Sequence, residues 1–285
     1  MTAAAVRPFR SALYVPASNG RAMAKAAGLP VDAVILDLED AVAPAAKDAA
    51  REALRAAEPW RGPFRLLRVN GAGTPWHEAD MALAAEIAPD AVLLPKVGGP
   101  RDVADAAEAL PGSVAIWAMI ETPAGVLAAE AIAAAPRMGG LVMGTNDLAK
   151  ELRCRGRAAM AYAMQRTVLA ARGAGIAALD GVCNALRDED ALRAECAEGR
   201  AMGFDGKTLI HPAQVDAANA AFGPSGEEVE LARRQVDAFA AAEAEGRGVA
   251  VLDGAIVENL HVEEARRILA MAEATGGVAE APAAR

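Results

Sequence analysis

Short apolar runs alternate along the chain with longer stretches in which apolar residues recur at a helical spacing. The apolar runs are continuous, which is typical of parallel strands covered on both faces. Stretches such as DAAREALRAAEP and DEDALRAECAEGRAMG between them have the periodicity of amphipathic helices. The strands, each with the loop that follows it, are SALYVP, AVILDLED, FRLLRVNG, AVLLPKV, VAIWAMIE, GLVMGTND, AALDGVC and GKTLIHP.

This strand–helix unit repeated eight times predicts an α/β fold, a (β/α)₈ or TIM barrel. An open, doubly wound sheet is the alternative, but the sequence lacks the G-x-G-x-x-G turn that often opens such a sheet. The segment FGPSGEE then interrupts the pattern. We therefore predict a catalytic barrel domain over residues 1–222 and a C-terminal helical extension over residues 223–285.

The extension contains signals of its own. Ser225 is the expected N-cap of a helix over about residues 227–245, with Glu228 at the capping-box position. The segment GRGVAVLDGAIVENLH predicts a short β-like excursion, and a last helix is expected over about residues 262–275. The terminal VAEAPAAR is expected to be disordered.

Composition mainly excludes certain partners and roles for this protein. A net charge of −9 makes nucleic acid an unsuitable partner, since phosphate binding requires a basic surface. The three cysteines lack metal-site spacing and predict buried, reduced thiols in a cytoplasmic protein. The N-terminal segment lacks a long apolar stretch with a cleavage site, and no apolar run is long enough for a membrane span, so no membrane association is expected.

Polar residues follow nearly every predicted strand, at the end where barrel enzymes place their chemistry. Packing alone does not explain this recurrence, because charged residues are rare in such runs unless they are paired. Structural interpretations compete: Asp40 is the preferred helix cap, Glu39 is either a helix cap or a site residue, and Asp180 and His211 are interpreted as structural. The residues are Asp37, Glu39 and Asp40; Arg68 and Asn70; Lys96; Glu121; Asn146 and Asp147; Asp180; and His211.

Glu121 and Asp147 end strands five and six, which are neighbours in a barrel. Two carboxylates supplemented by waters and substrate oxygens are a typical environment for Mg²⁺. Arg68 offers a planar fork to a carboxylate or a developing enolate oxygen. Lys96 either pairs with an acid such as Glu39 or helps to hold an anionic group. A substrate carboxylate is expected in a nest of backbone N–H groups at Gly144, Thr145 and Asn146.

These residues predict a 2-oxo or 2-hydroxy acid chelated to Mg²⁺, with carbon–carbon or thioester chemistry beside a stabilised enolate. The sequence has no G-x-S-x-G elbow, no Walker A loop and no H-E-x-x-H, which argues against a serine hydrolase, an NTPase and a zinc protease. A lysine Schiff-base aldolase, through Lys96 or Lys207, remains an alternative, although it leaves the Glu121/Asp147 pair without a purpose.

The motifs RSALYVPASNGRAMAKA, AVILDLEDAV, LLRVNG, LLPKV, MIETPAG, MGTNDLAKEL and GFDGKTLIHPAQV together resemble the citrate lyase β-subunit-like family of CoA-ester lyases. That family belongs to the HpcH/HpaI-type barrel aldolases, and the resemblance covers about residues 10–269. It implies homotrimers or homohexamers and β-hydroxyacyl-CoA substrates.

The resemblance also implies residue roles. Glu121 and Asp147 correspond to the Mg²⁺ ligands, with Mn²⁺ as a substitute metal, and Arg68 corresponds to the residue that stabilises the enolate. The backbone of Gly144, Thr145, Asn146 and Asp147 corresponds to the carboxylate cradle. Arg21 and Lys25, in the first loop and helix, are candidates for holding the phosphates of coenzyme A.

In the malyl-CoA lyase branch, a C-terminal lid covers the neighbouring subunit's site and supplies an aspartate as acid/base. Here the lid corresponds to residues 249–261, and Glu258 in GAIVENLH occupies the aspartate position. This motif resembles that of the (3S)-malyl-CoA thioesterase subgroup, so hydrolysis to malate and CoA is the preferred prediction. A malyl-, methylmalyl- or citramalyl-CoA lyase and a citrate lyase β subunit acting on a carrier-bound thioester are alternatives. The candidate catalytic residues are Arg68, Glu258, Glu39 and Lys96.

Overall fold

The computed structural model describes residues 7–57 and 59–276, so the predicted disorder of VAEAPAAR lies outside the described residues. Eight parallel strands form a closed barrel in chain order, which confirms the predicted (β/α)₈ fold. The barrel strands are β1 (Ser11–Pro16), β2 (Ala33–Asp37), β3 (Phe64–Arg68), β4 (Ala91–Leu94), β5 (Ala115–Ile120), β6 (Met138–Met143), β7 (Ala177–Asp180) and β8 (Gly206–Leu209).

Helices follow the strands. Three short 3₁₀ turns, at Pro44–Ala46, Arg157–Met160 and Pro212–Gln214, lead directly into α-helices. The α-helices up to the end of the barrel are α1 (Gly20–Ala26), α2 (Lys47–Arg55), α3 (His77–Ile87), α4 (Pro100–Ala109), α5 (Pro123–Leu127), α6 (Ala129–Ala133), α7 (Thr145–Leu152), α8 (Ala161–Ala174), α9 (Glu189–Met202) and α10 (Val215–Phe222).

The strands are buried on both faces, which explains their continuous apolar sequences. Every residue of β2, β4 and β8 is buried. Strand register then decides which side chains meet at the carboxyl ends. Asp37 pairs in register with Arg68 across β2 and β3, and Ile120 pairs with Met143 across β5 and β6. The loops that carry Glu121 and Gly144 therefore leave the barrel side by side.

Aromatic rings fill the opposite, amino-terminal end of the barrel interior. The Trp117 ring lies 5.0 Å from the ring of Phe9, in an edge-on arrangement, and 6.1 Å from that of Phe64. A glycine on the neighbouring strand provides the space, because a Cβ atom on Gly140 would lie 2.5 Å from the Trp117 ring. Closure of this end leaves the carboxyl ends of the strands as the accessible side of the barrel.

Phe9–Ala218 forms one compact unit, and the chain from Asn219 onwards belongs to a second. The second unit contains α11 (Gly226–Ala244), β9 (Ala250–Leu252), β10 (Ala255–Val257) and α12 (Asn259–Ala274). The predicted capping box begins α11: Ser225 N–H donates to Glu228 Oε2 at 2.7 Å, and Glu228 N–H donates to Ser225 Oγ at 3.2 Å.

Strands β9 and β10 form an antiparallel hairpin around a two-residue turn. Asp253 and Gly254 both have positive φ, +51° and +81°, as a tight hairpin turn of this kind requires. An apolar cluster joins the hairpin to α11 and α12; it consists of Phe239, Ala242, Ala250, Val257 and Val262. The predicted β-like excursion is thus a hairpin.

Helix α12 begins at Asn259, three positions earlier than the sequence pattern predicts. The earlier start follows from two hydrogen bonds between Glu258 and His261. His261 N–H donates to the Glu258 carbonyl oxygen at 2.9 Å, and Glu258 N–H donates to His261 Nδ1 at 3.0 Å. The N-cap position is Glu258, which is not one of the conventional N-cap residue types, so the sequence alone places the start too late.

The cysteine prediction is only partly correct. Cys183 and Cys196 are buried free thiols, whereas Cys154 is partly exposed. Within residues 7–57 and 59–276, none of the helices combines the length and apolar character needed to cross a membrane.

Candidate active site

A cavity of about 330 Å³ opens at the carboxyl ends of the barrel strands. Its lining brings Arg68, Glu121 and Asp147 together from three separate strand–helix units, as predicted. A larger cavity of about 1140 Å³ adjoins it and shares Asp40 with it, but Arg68 and the two acids line only the smaller one. The other residues of the smaller cavity include Tyr14, Asp37, Met119, Met143, Gly144, Thr145, Asn146 and Thr208.

Arg68 is held by Asp37 through two parallel hydrogen bonds. Arg68 Nε donates to Asp37 Oδ1 at 2.7 Å, and Nη2 donates to Oδ2 at 2.6 Å. The Arg68 Cζ atom lies 4.8 Å from the centre of the Tyr14 ring. Burial alone lowers the pKa of Arg68, but the hydrogen bonds that Arg68 donates to Asp37, together with nearby negative charge, outweigh this effect and the pKa is raised overall. The guanidinium is therefore a fixed positive charge.

Glu39 is a buried acid between two cations. Its Oε2 lies 2.8 Å from Arg68 Nη1, and its Oε1 accepts a hydrogen bond from Lys96 Nζ at 2.6 Å. Burial raises the pKa of Glu39. The neighbouring charges of Arg68 and Lys96 oppose this effect only in part, so the pKa is raised overall. Glu39 is therefore not a helix cap, since the N-cap positions of the following 3₁₀ turn and of α2 are Ala43 and Ala46. Its carboxylate holds two cations of the site, and its catalytic role stays a prediction.

Lys96 connects the three acids of the site. Its ammonium bonds Glu39 and lies 3.6 Å from Asp147 Oδ2, and its backbone N–H donates to Glu121 Oε1 at 2.7 Å. The residue has a left-handed φ of +53°, a sparsely populated conformation for a side chain of this kind. Burial lowers the pKa of Lys96, but its hydrogen bond and ion pair with Glu39 raise it overall. A permanently protonated amine is unsuited to Schiff-base formation.

Glu121 is an almost fully buried acid facing the cavity, with 2% of its surface exposed. Burial raises its pKa to about 7; the hydrogen bond from Lys96 opposes this shift, while the charges of Glu39 and Asp147 add to it. Gly144 makes room for the carboxylate, since a Cβ atom there would lie 2.3 Å from Glu121 Oε2. Glu121 is thus confined in an environment that disfavours its own negative charge.

Glu121 and Asp147 fit a divalent cation. Both line the smaller cavity, and the negative charge of Asp147 helps to raise the pKa of Glu121, a cost that a bound cation would relieve. Among the described residues, no group of three or more His, Cys, Asp or Glu side chains forms a metal site. Mg²⁺ does not need such a group, because it commonly binds one or two carboxylates and completes its shell with water and substrate oxygens.

The predicted carboxylate cradle is only partly available. Gly144 N–H donates to the Ile120 carbonyl oxygen at 3.2 Å, so Gly144 cannot offer that hydrogen to a substrate. The backbone N–H groups left for such a cradle are those of the first turn of α7, at Thr145, Asn146 and Asp147, which have no partner within the helix. Their contact with a substrate carboxylate stays a prediction. Gly144 contributes space for Glu121 instead.

The first turn of α7 is bound to the loop that follows β7. Asn146 and Asn184 exchange side-chain hydrogen bonds of 3.3 Å and 2.7 Å. Gly181 packs against Thr145, and a Cβ atom on Gly181 would lie 2.5 Å from Thr145 Oγ1. These contacts fix the start of α7 from the side opposite Glu121.

Asp40 does not cap a helix, so that prediction is wrong. Helix α2 begins at Lys47, its N-cap position is Ala46, and a proline-led 3₁₀ turn separates Asp40 from it. Asp40 is exposed, and its Oδ2 lies 4.0 Å from Arg68 Nη1. Asp37 instead caps the loop itself by accepting backbone hydrogen bonds from Glu39 at 2.8 Å and Ala41 at 3.0 Å.

Asp180, Lys207 and His211 make structural contacts. Lys207 is fully buried, with Nζ 2.8 Å from Asp180 Oδ2 and 2.9 Å from Glu195 Oε2. Arg157 donates two further hydrogen bonds to Asp180, at 3.2 and 3.0 Å. This burial argues against a Schiff base at Lys207. His211 accepts a hydrogen bond from Ala213 N–H at 3.2 Å and caps the turn after β8, as its structural interpretation requires.

Arg21 and Lys25 are exposed on α1, and neither contributes to the walls of the two cavities described above. A role in binding CoA phosphates stays a prediction. Glu258 belongs to the second unit, where it is exposed and directly precedes α12. Tyr14 was not predicted for the site; its signal in the sequence is the single aromatic residue in the otherwise aliphatic run of β1.

Residues 10–212 match the protein family described as HpcH/HpaI aldolase/citrate lyase. A (3S)-malyl-CoA thioesterase of Cereibacter sphaeroides (strain KD131) is 54% identical over 273 residues, covering 94% of this chain and 95% of that protein. The citrate lyase subunit beta of Escherichia coli (strain K12) is 35% identical over 287 residues, covering 95% of each chain.

Solved structures of CitE from Mycobacterium tuberculosis are also similar. The complex with magnesium, acetoacetate and coenzyme A has a TM-score of 0.79 and 32% identity, and the match covers 95% of this chain and all of that one (100%). The complex with oxaloacetate and magnesium has a TM-score of 0.69 and 33% identity, over 76% of this chain and 98% of that one.

Proposed function

The chain belongs to the HpcH/HpaI aldolase/citrate lyase family, and we propose that it is a Mg²⁺-dependent enzyme that hydrolyses (3S)-malyl-CoA-type thioesters to malate and CoA. The observation that carries this proposal is the 54% identity with a (3S)-malyl-CoA thioesterase. That similarity covers 94% of the chain. The uncovered part is too short to reach Glu258 even if all of it lies at the C-terminal end, so the matched region includes Glu258.

Glu121 and Asp147 are the proposed Mg²⁺ ligands, with Mn²⁺ as a substitute metal. The burial of Glu121 and the shared negative charge of the pair support this assignment. When bound, Mg²⁺ would supply positive charge that orients the hydroxyl and carboxylate oxygens of the malyl group. The first turn of α7 offers backbone N–H groups to the same carboxylate.

Arg68 is proposed to hold the oxygen that gains negative charge during the reaction. Asp37 and the Tyr14 ring fix the guanidinium, so no side-chain reorganisation is needed as charge develops. Glu39 orients Arg68 Nη1 and Lys96 Nζ, and the half-exposed Lys96 ammonium adds positive charge for an anionic group of the substrate. Arg21 and Lys25 are proposed contacts for the CoA phosphates.

Hydrolysis requires a base to activate water, and we assign this role to Glu258. Its carboxylate takes a proton from the water as the water oxygen bonds to the thioester carbonyl carbon. The carbon–sulphur bond then breaks, and the proton passes to the departing CoA sulphur. The products are malate and the free thiol, with no oxidant or further reactant.

A homotrimer or homohexamer that exchanges residues 249–261 between subunits is the proposed assembly. The exposed side chains of the hairpin support this arrangement: Val251 and Ile256 are 65% and 62% exposed, and Leu260, just after Glu258, is 60% exposed. Apolar side chains grouped in this way are a common feature of protein–protein contacts.

Carbon–carbon cleavage to acetyl-CoA or propionyl-CoA and a 2-oxo acid is the second candidate, favoured by the 35% identity with a citrate lyase subunit. Incubation of the protein with (3S)-malyl-CoA and Mg²⁺ separates the two. Equal amounts of free thiol and malate support hydrolysis, whereas glyoxylate with intact acetyl-CoA overturns it. Turnover of free CoA thioesters also excludes a subunit that acts only on a carrier-bound thioester.

A further inference from the structure

Lys47 is a buried cation outside the proposed catalytic set. It is the first residue of α2 and is only 4% exposed. Its ammonium donates to two consecutive backbone carbonyl oxygens, those of Leu38 at 2.8 Å and Glu39 at 2.9 Å. The face of the Trp76 ring lies 4.9 Å from the same nitrogen. Burying an ammonium group costs free energy. A buried lysine that binds two carbonyl groups of one loop therefore indicates that the position of this loop matters to the protein.

A second buried network holds the same loop from the β3 side. Asn70 Nδ2 donates to the Leu38 carbonyl oxygen at 2.9 Å and to Asp80 Oδ2 at 2.6 Å. Asp80 is fully buried, and Arg51 Nη1 donates to its other oxygen at 2.7 Å. The Leu38 carbonyl thus receives two hydrogen bonds from buried side chains, which leaves the loop little freedom.

The held loop carries Glu39. The Glu39 N–H donates to Asp37 Oδ1 at 2.8 Å, and its carbonyl oxygen accepts from Lys47, so both sides of its backbone are fixed. This fixed backbone places the Glu39 carboxylate within 2.8 Å of Arg68 Nη1 and 2.6 Å of Lys96 Nζ.

We propose that Lys47 is a positioning residue: it holds the Leu38 and Glu39 carbonyl groups so that the Glu39 carboxylate stays between Arg68 and Lys96. Lys47 touches no reacting atom and acts only through Glu39. The inference rests on the proposed function for the importance of Arg68, but the position of Glu39 can be measured without substrate.

The test combines a structure with a double-mutant cycle. Lys47→Met keeps most of the apolar stem and removes the charge. We expect the crystal structure of this variant to show the Glu39 carboxylate displaced from Arg68 by about 1 Å or more, a shift large enough to cost about 100-fold in rate. An unmoved Glu39 overturns the inference even if malyl-CoA proves not to be the substrate.

Activity then separates positioning from general damage. We expect kcat to fall about 10- to 100-fold in Lys47→Met with KM changed less than about threefold. The double variant with Glu39→Gln should be no slower than Glu39→Gln alone, because both changes remove the same contact. Additive losses overturn the inference. Arg55→Met, at the partly exposed end of α2, is the matched control and should behave as wild type.

Lys47→Gln provides a second, milder change if Lys47→Met does not fold. The amide keeps a donor but lacks the charge and the reach of the ammonium, so the same displacement of Glu39 is expected at smaller amplitude. A folded Lys47→Gln protein with Glu39 in place and wild-type kcat contradicts the inference. If wild-type protein turns over no malyl-CoA at all, the proposed function fails, and the structures alone decide the role of Lys47.

Discussion

Arg68 and Asp37 meet at the carboxyl ends of adjacent strands through two hydrogen bonds of 2.7 and 2.6 Å. Strand register brings the two residues level with each other, and both are nearly inaccessible to solvent. One edge of the guanidinium is thereby committed to the protein. Only Nη1 is directed elsewhere, toward Glu39, so the orientation of Arg68 in the cavity depends on Asp37.

Asp37→Asn should impair both folding and catalysis. The amide cannot provide two acceptors or a negative charge, so Arg68 becomes a buried charge with an incomplete partner. We expect the free energy of unfolding to fall by about 3–5 kcal/mol, the usual effect of breaking a buried ion pair. We also expect kcat to fall about 100-fold, as the fixed orientation of Arg68 is lost. Urea denaturation and steady-state kinetics measure the two effects.

Asp40→Asn is the matched control for that change. Asp40 is exposed, lies 4.0 Å from Arg68 Nη1 and belongs to the same loop. Its loss should change the free energy of unfolding by less than about 1 kcal/mol, as is usual for an exposed pair. Equal losses in the two variants would show that the loop is sensitive to any change and that the two-point contact is unimportant.

Gly144→Ala should weaken metal binding without replacing a metal ligand. The added Cβ would lie 2.3 Å from Glu121 Oε2 and 2.4 Å from Glu121 Cβ, so the carboxylate must move. We expect the Kd for Mg²⁺ to rise at least about tenfold and stability to fall by about 1–3 kcal/mol, as overpacking usually costs. Calorimetric titration with Mg²⁺ gives the affinity. Gly173→Ala, at an open position on α8, should leave it unchanged; an unchanged Kd in both variants would place the metal elsewhere.

The barrel and the meeting of Glu121 with Asp147 could be predicted from sequence, because strand periodicity and the strand-end rule depend on local pattern. The side-chain partnerships could not. Asp37 caps its own loop and also holds Arg68, and the second contact depends on the register with β3, which sequence spacing does not reveal. The loss of the Gly144 N–H to Ile120 and the start of α12 at Asn259 likewise depend on contacts that only the folded chain creates.

The raised pKa of Glu121 makes the stability of the metal-free protein depend on pH. Between the ordinary glutamate pKa of about 4.5 and the folded value of about 7, the folded chain retains a proton that the unfolded chain releases. Stability contributed by Glu121 is therefore present at pH 4.5 and declines as pH rises to 7, by about 1.4 kcal/mol per pH unit. Mg²⁺ should offset this decline, because it favours the carboxylate.

Glu121→Gln isolates this effect, because its amide keeps an acceptor for Lys96 N–H and cannot titrate. In EDTA, the variant should be more stable than wild type at pH 8 and no more stable at pH 5. Excess Mg²⁺ should stabilise wild type and leave the variant little changed. Urea denaturation at the two pH values gives these differences, and parallel curves for the two proteins in EDTA would contradict a raised pKa at Glu121.

The proposed exchange of the lid between subunits predicts complementation between two inactive variants. Asp147→Asn damages the barrel site and keeps Glu258, while Glu258→Gln damages the lid and keeps the barrel site. If each site combines the barrel of one chain with the lid of another, mixed oligomers contain some sites with both parts intact. If the two variants are present in equal amounts and assemble at random, a given site has an intact barrel in about half of all cases and an intact lid in about half. The whole population should therefore recover about a quarter of wild-type activity.

Co-expression with two different affinity tags isolates the mixed oligomers for assay with malyl-CoA. Removal of the two inactive homo-oligomers raises the expected recovery in a trimer to about a third. A lid that serves its own barrel gives no recovery, because every chain then carries one damaged part of its own site. Glu151→Gln in place of Asp147→Asn is the matched control: Glu151 is exposed on the same helix, and its variant should be active alone. Recovery confined to mixed oligomers would establish that Glu258 acts in the site of a neighbouring subunit.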